Sequence, residues 1–153
     1  MEIKKYLWAI PFISAIFGII ALLTPVAYQY YGSDSLYVWY WALNVIPEIG
    51  EIWFNDSPLA LIGGILETIV ILFAVIVLLY TGLNVRKGLS SLKRMKVLWI
   101  ICGILLLISP IGYIIGAVIY QSNFWEFYFV GFGIISSFIA AGLAILQIFV
   151  YRK

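Results

Sequence analysis

The sequence contains no histidine and a single cysteine, Cys102, and only 10% of its 153 residues carry a formal charge. A lone cysteine forms no intrachain disulfide, and without histidine the common zinc, haem and copper ligand sets are missing. Without histidine and with one cysteine, most catalytic pairs of nucleophile and base are also excluded. The apolar runs contain no aspartate pair of the kind that intramembrane proteolysis needs. The composition therefore predicts a protein that is not an enzyme and that binds no metal or cofactor.

The shortage of charge also excludes an ordinary soluble domain, in which about 25% of residues are charged. Hydrophobic residues make up 65% of the chain. A helix needs about 20 apolar residues to cross the hydrocarbon core, and four runs reach that length: 6–28, 59–81, 97–120 and 127–151. We predict an all-α integral membrane protein, a single domain of residues 1–153 that folds as a four-transmembrane-helix bundle.

The first run follows Lys4 and Lys5, so it also has the outline of a signal peptide. The apolar part of a signal peptide is about 7 to 15 residues long and ends at a small-residue cleavage site. This run is longer, and Pro25-Val26-Ala27 matches such a site poorly. We interpret it as a membrane helix.

The charged residues predict which side of the membrane each segment faces. Basic residues occur near the N-terminus, at the C-terminus and in the connection 82–96, which carries Arg86, Lys87, Lys93, Arg94 and Lys96. Four crossings place these three regions on one side, and the positive-inside rule makes that side cytoplasmic. We therefore expect a multi-pass protein of the cell membrane with both termini in the cytoplasm. The basic connection is either a binding site for anionic lipid or for a partner, or only a topology signal, and we favour the topology signal.

The predicted outer loop, 29–58, is rich in aromatic residues. Tyrosine and tryptophan prefer the lipid headgroup layer, so we expect this loop to lie along the membrane surface or to cap the bundle. We predict contacts to partners through Tyr37, Trp39, Tyr40, Trp41 and Trp53. Within the loop, the spacing of Ile46, Ile49 and Ile52 predicts a short interfacial helix over 46–54, while 36–43 is compatible with a strand or a turn.

Small residues recur on the predicted helices at spacings of three and four, which lets helices approach closely. Gly112 and Gly116 form a GxxxG pair. We predict helix packing at Gly18, Gly63, Gly64, Gly112, Gly116, Gly133 and Ala141.

Glu67 is the only acidic or basic residue inside a predicted span. At 1.5 Å per residue it lies roughly 12 Å below the outer edge of a core about 30 Å thick. An acidic side chain at that depth is costly, so we expect it to face the bundle interior and to be protonated. Hydroxyl groups at similar depth complete a predicted polar layer of Glu67, Thr68, Ser109, Ser136 and Ser137. One interpretation of this layer is a proton or cation site. The other, which we favour, is that the Glu67 carboxyl is hydrogen bonded to Ser136 or Ser137 and holds two helices in register.

A four-helix chain with cytoplasmic termini and a longer first outer loop is similar in outline to claudin-type tetraspan proteins. The first outer loop of that family carries a tryptophan, a Gly-Leu-Trp tripeptide and a cysteine pair, whereas 29–58 has tryptophans but no cysteine and no such tripeptide. The resemblance thus extends to topology and implies no function.

The sequence as a whole predicts a non-catalytic protein that works through helix and outer-loop contacts. It would be an accessory subunit of a membrane complex or a homo-oligomer. Its expected partners are the lipid bilayer and other membrane subunits or further copies of itself, with no nucleic acid. The alternative is a small channel or a proton or cation carrier that uses Glu67 and the hydroxyl layer.

Overall fold

The computed structural model describes residues 8–90 and 92–150. Four long helices confirm the predicted number: α1 (Ala9–Leu23), α2 (Pro58–Arg86), α3 (Leu92–Tyr120) and α5 (Phe132–Val150), with the single turn α4 (Phe124–Phe127) before the last. The long helices pack as a ring in which α1 contacts α2 and α5, and α3 contacts the same two. The predicted helix ends at residue 6 and residue 151 lie outside the described part of the chain.

Several predicted helix boundaries are wrong. The helix α1 ends at Leu23 rather than near residue 28, because the chain is already extended at Thr24 and then forms a strand. In the other direction, α2 continues to Arg86 and α3 begins at Leu92. The predicted basic connection 82–96 is therefore mostly helical, and only a few residues join the two helices.

The segment predicted as an outer loop folds as a sheet, which corrects the all-α fold class. Four strands lie between α1 and α2, and a fifth precedes α5: β1 (Ala27–Tyr31), β2 (Asp34–Val38), β3 (Leu43–Ile46), β4 (Glu51–Phe54) and β5 (Phe129–Val130). The strand order is β4-β3-β2-β1-β5, and every neighbouring pair is antiparallel.

The predicted interfacial helix over 46–54 is wrong, because this stretch is a β-hairpin. Pro47 begins a four-residue turn in which the Gly50 N–H donates to the Pro47 carbonyl at 3.2 Å. Gly50 has φ +68°, a conformation that glycine adopts without steric cost. The turn is also held by the Ser35 N–H, which donates to Glu48 Oε2 at 3.1 Å. Hydrogen bonds from its own backbone and from Ser35 lower the pKa of Glu48.

The helix core is built from small residues and aliphatic side chains. The Ser14 hydroxyl of α1 donates to the Ala140 carbonyl of α5 at 2.7 Å, which requires the two backbones to lie close together. A Cβ at Gly18 would lie 2.6 Å from Val75, and one at Gly133 would lie 2.8 Å from the Thr24 carbonyl oxygen. Ala141 is fully buried. These positions are close helix contacts.

Two of the described helices, α2 and the stretch of α3 from Met95 to Tyr120, are long and apolar enough to cross a membrane. The helices α1 and α5 are apolar but shorter. Charge is divided between the two ends of the bundle. Arg86 and Lys87 end α2 at the end away from the sheet, whereas the acidic side chains on the strands, turns and short helix lie at the sheet end: Asp34, Glu48, Glu51, Asp56 and Glu126.

Candidate functional site

The two faces of the sheet differ because strand residues alternate between them. Leu36, Val38 and Asn44 share one face and are buried against the helices, with Val38 paired to Asn44. The opposite face carries aromatic rings in contact with one another. Tyr28 lies 5.5 Å from Phe129 and 6.4 Å from Tyr37 between ring centroids. We call this surface, formed by Tyr28, Tyr30, Tyr37 and Phe129, the aromatic face.

A cavity of about 400 Å³ lies between the buried face of the sheet and the ends of α2 and α3, and we call it the sheet cavity. The sheet lines one side of the cavity with Leu36, Val38, Asn44 and Trp53. The walls come from α2 and α3, and the sides from α4 and its flanking turns. Aromatic rings contribute much of the lining: Trp39, Tyr40, Trp53, Tyr113, Tyr120, Phe124 and Tyr128. A space of this size and lining is typical of small-molecule sites.

Glu67 reaches the sheet cavity from α2, about 14 Å along the helix from Pro58. The facing residue on α3 is Gly112, where a Cβ would lie 3.0 Å from Glu67 Oε1. The Glu67 carboxyl therefore occupies the space that a larger side chain at position 112 would fill. Its Oε2 is buried and has no hydrogen-bond partner among the described residues.

The hydroxyls of the predicted polar layer are not hydrogen bonded to Glu67 in the described residues. The hydroxyls of Thr68, Ser136 and Ser137 donate to carbonyls four residues earlier on their own helices. The Ser109 hydroxyl is buried and has no hydrogen-bond partner in the described part of the chain. Glu67 is the member of the layer that lines the sheet cavity. The hydrogen bond proposed between Glu67 and Ser136 or Ser137 is absent from the described residues.

Tyr40 connects the sheet to the helices from the turn between β2 and β3. It is fully buried, and its hydroxyl is hydrogen bonded to Ser137 Oγ of α5 at 3.1 Å. Its ring meets the edge of Tyr113 of α3 at 5.5 Å. Burial raises the pKa of the Tyr40 phenol far above its ordinary value, while the Ser137 hydrogen bond acts in the opposite direction. Tyr40 is therefore an internal anchor of the sheet rather than a surface contact.

The other residues predicted as outer-loop contacts are spread over different surfaces. Tyr37 belongs to the aromatic face, and Trp41 is exposed in the turn. Trp39 donates its indole N–H to the Leu23 carbonyl at 3.1 Å, which ties β2 to the end of α1. Trp53 lines the sheet cavity.

The predicted basic connection lies at the far end of the bundle from the sheet cavity. The Arg86 guanidinium stacks over the Trp8 ring at 4.7 Å, and Lys87 is exposed. Lys96 is half-buried in α3. The side chains of Lys93 and Arg94 lie outside the described part of the chain, as do the predicted basic residues of both termini.

Several lining residues were not singled out by the sequence reasoning, notably Asn44, Tyr113 and Tyr128. Tyr113 directly follows Gly112, and counting along the helices places it at a depth similar to that of Glu67, although not on a particular face. Asn44 has no such signal, because its position depends on pairing with Val38.

Burial raises the pKa of the Tyr128 phenol to about 12, and the neighbouring Tyr31 adds to the rise.

Neither the protein-family models nor the curated proteins include a match to this chain. Within residues 8–90 and 92–150 no group of three metal-ligating side chains is present. The fold and the site together define a four-helix protein with a sheet-capped cavity that holds one acidic group.

Proposed function

We propose that the protein is an integral membrane protein with four crossings. The support comes from α2 and α3, whose most apolar stretches are only 28% and 33% buried inside the protein. A core helix of a soluble protein would be mostly buried, and large exposed apolar surfaces are rare in soluble monomers. On α2 the exposed side chains run along the whole helix: Leu59, Ile62, Ile65, Leu66, Ile69, Leu72, Phe73 and Ile76. Lipid is the partner that this surface fits.

The proposed orientation places the sheet outside the cell and both termini in the cytoplasm. The basic residues Arg86 and Lys87 lie at one end of the bundle and the acidic residues of the sheet at the other. Cytoplasmic segments of membrane proteins carry an excess of lysine and arginine, which assigns the basic end to the cytoplasm.

The proposed function is non-catalytic and works through contacts, as an accessory subunit of a membrane complex or as a homo-oligomer. The observation that carries this proposal is the aromatic face, in which Tyr30 is 61% exposed and Phe129 55% exposed. Tyrosine and phenylalanine are enriched at protein interfaces because they bury large areas at little cost in conformational entropy. A rigid sheet presents these rings in a fixed arrangement that a partner can match.

Native electrophoresis of membranes solubilised in a mild detergent tests this function. We expect a species heavier than one chain, and replacing Tyr30 and Phe129 with serine should shift it towards the single-chain mass. Tyr31→Ser is the matched control, because Tyr31 is also exposed but lies on the opposite side of β1. A single-chain mass at every protein concentration would contradict the proposal. Unchanged assembly in the double variant would contradict the role of the aromatic face.

The alternative function is a small channel or a proton or cation carrier, in which Glu67 beside the sheet cavity would bind the proton or cation. The cavity gives this carboxyl a route towards the sheet end of the bundle, but the hydroxyls of Thr68, Ser136 and Ser137 are bonded within their own helices. Ion or proton flux in proteoliposomes tests it. A carrier requires flux in the wild type that Glu67→Gln abolishes, and full flux in that variant excludes the pathway.

A further inference from the structure

The Glu67 side chain is half-buried, and one of its two carboxyl oxygens, Oε2, is fully buried. Its Oε2 has no hydrogen-bond partner in the described residues, and the hydroxyls of Thr68 and Ser137 donate to backbone carbonyls of their own helices. Arg86 is about 28 Å further along the same helix, so it cannot act as a counter-charge. Buried carboxylates are normally paired with a cation or with several donors.

The α3 helix leaves space for something beside this carboxyl. Gly112 accommodates the Glu67 side chain, and one turn further a Cβ at Gly116 would meet no atom within 4 Å. Both glycines line the sheet cavity. The GxxxG pair predicted for helix packing thus opens a space between the helices at this point.

The walls of the sheet cavity are suited to a cation rather than to an anion. Among the residues that the structure describes, Glu67 is the one charged side chain in the lining, and no lysine or arginine lines the cavity. Tryptophan and tyrosine rings surround the rest of the space, and cations bind favourably over such rings. A metal ion fits the lining poorly because it offers a single carboxylate.

We infer that the sheet cavity binds a small organic cation, an ammonium group on an apolar body, with the Glu67 carboxylate as its counter-charge and the aromatic lining around its apolar part. The volume of about 400 Å³ accommodates such a molecule. This site is separate from the contact function proposed above, since it requires neither a partner subunit nor the aromatic face.

Choline and its uncharged isostere 3,3-dimethylbutan-1-ol are the probes that separate charge from shape. Trp39 and Trp53 line the cavity and report binding through tryptophan fluorescence. The protein is purified in a maltoside detergent, whose headgroup has no ammonium to compete. We expect saturable choline binding, with the alcohol about tenfold weaker or more.

Three variants test which residues are responsible. Glu67→Gln should raise the Kd for choline about tenfold or more and leave the Kd for the alcohol nearly unchanged. Gly116→Leu fills the cavity while Glu67 is intact, so it should weaken both probes. Gly142→Leu is its matched control on α5, where a Cβ also meets no atom within 4 Å, and it should bind as the wild type does.

Equal binding of the two probes, or choline binding that survives Glu67→Gln, would overturn the inference. Either result would show that the cavity selects its ligand by apolar contact and not by charge. Absence of saturable choline binding to the wild type would overturn it as well. If Glu67→Gln does not fold, the comparison of the two probes and the Gly116→Leu variant still decide the question.

Discussion

Tyr40 shows how a single side chain fixes the sheet on the helix bundle. Its hydroxyl is bonded to Ser137 of α5, its ring packs on Tyr113 of α3, and its carbonyl lies against Gly64 of α2. Because the Ser137 hydroxyl donates its own proton to the Gly133 carbonyl, Tyr40 is the donor in their bond. A buried tyrosine with these contacts contributes both packing and a satisfied hydrogen bond.

Truncation of Tyr40 should separate these two contributions. We expect Tyr40→Phe to lower the free energy of unfolding by about 1 kcal/mol through the lost hydrogen bond. Tyr40→Ala should cost about 3 to 5 kcal/mol, because it also leaves a cavity. Reversible unfolding in mixed detergent micelles, followed by circular dichroism, measures both values. Tyr30→Phe removes an exposed hydroxyl and should have almost no effect; a loss as large as that of Tyr40→Phe would contradict the assignment.

At the scale of elements, the position of the sheet depends on a close approach between α2 and the turn after β2. Gly64 faces that turn: a Cβ there would overlap the Tyr40 carbonyl oxygen and lie 3.0 Å from the Ala42 nitrogen. The neighbouring Gly63 has open space, although both glycines line the sheet cavity. Only one of the two adjacent glycines is required by the packing.

Alanine substitutions at these two glycines form a matched pair. Alanine favours a helix over glycine by about 1 kcal/mol, so Gly63→Ala should raise stability by up to that amount. Gly64→Ala should instead lower stability by about 1 to 3 kcal/mol, because the methyl group is forced against backbone atoms. The same unfolding experiment measures both variants. Equal effects of the two substitutions would show that α2 and the turn are not in contact.

At the scale of the whole molecule, the two ends of the bundle carry charges of opposite sign. The sheet end carries Asp34, Glu48 and Asp56, and the opposite end carries Arg86 and Lys87. The proposed orientation follows from this division and from the even number of crossings. The proposal assigns both termini to the cytoplasm, on the same side as Arg86 and Lys87.

Labelling of single cysteines tests the orientation in a Cys102→Ala background. Ser33→Cys lies in the turn between β1 and β2, and Leu89→Cys lies in the exposed connection between α2 and α3. We expect a membrane-impermeant maleimide to label the first in intact cells and the second only after the membrane is opened. Labelling of both sites from the same compartment would contradict the four-crossing orientation.

The sequence by itself determined the number of helices and the division of charge. Both are local properties, since an apolar run of about 20 residues favours a helix over most of its length and each lysine or aspartate has a fixed place between runs. It also identified Glu67 as the one acidic residue in the middle of an apolar run. It did not determine the structure of 29–58, where the helical spacing of Ile46, Ile49 and Ile52 gave the wrong element.

Tertiary structure decided the sheet and the cavity. Val38 pairs with Asn44 across a short turn and Ala27 pairs with Val130 more than 100 residues away, so each strand depends on backbone hydrogen bonds that another segment supplies. The sheet cavity likewise needs residues from the sheet, α2, α3 and the segment around α4. Periodicity within one segment carries no information about such partners, because the energy that selects a strand or opens a cavity comes from contacts between segments.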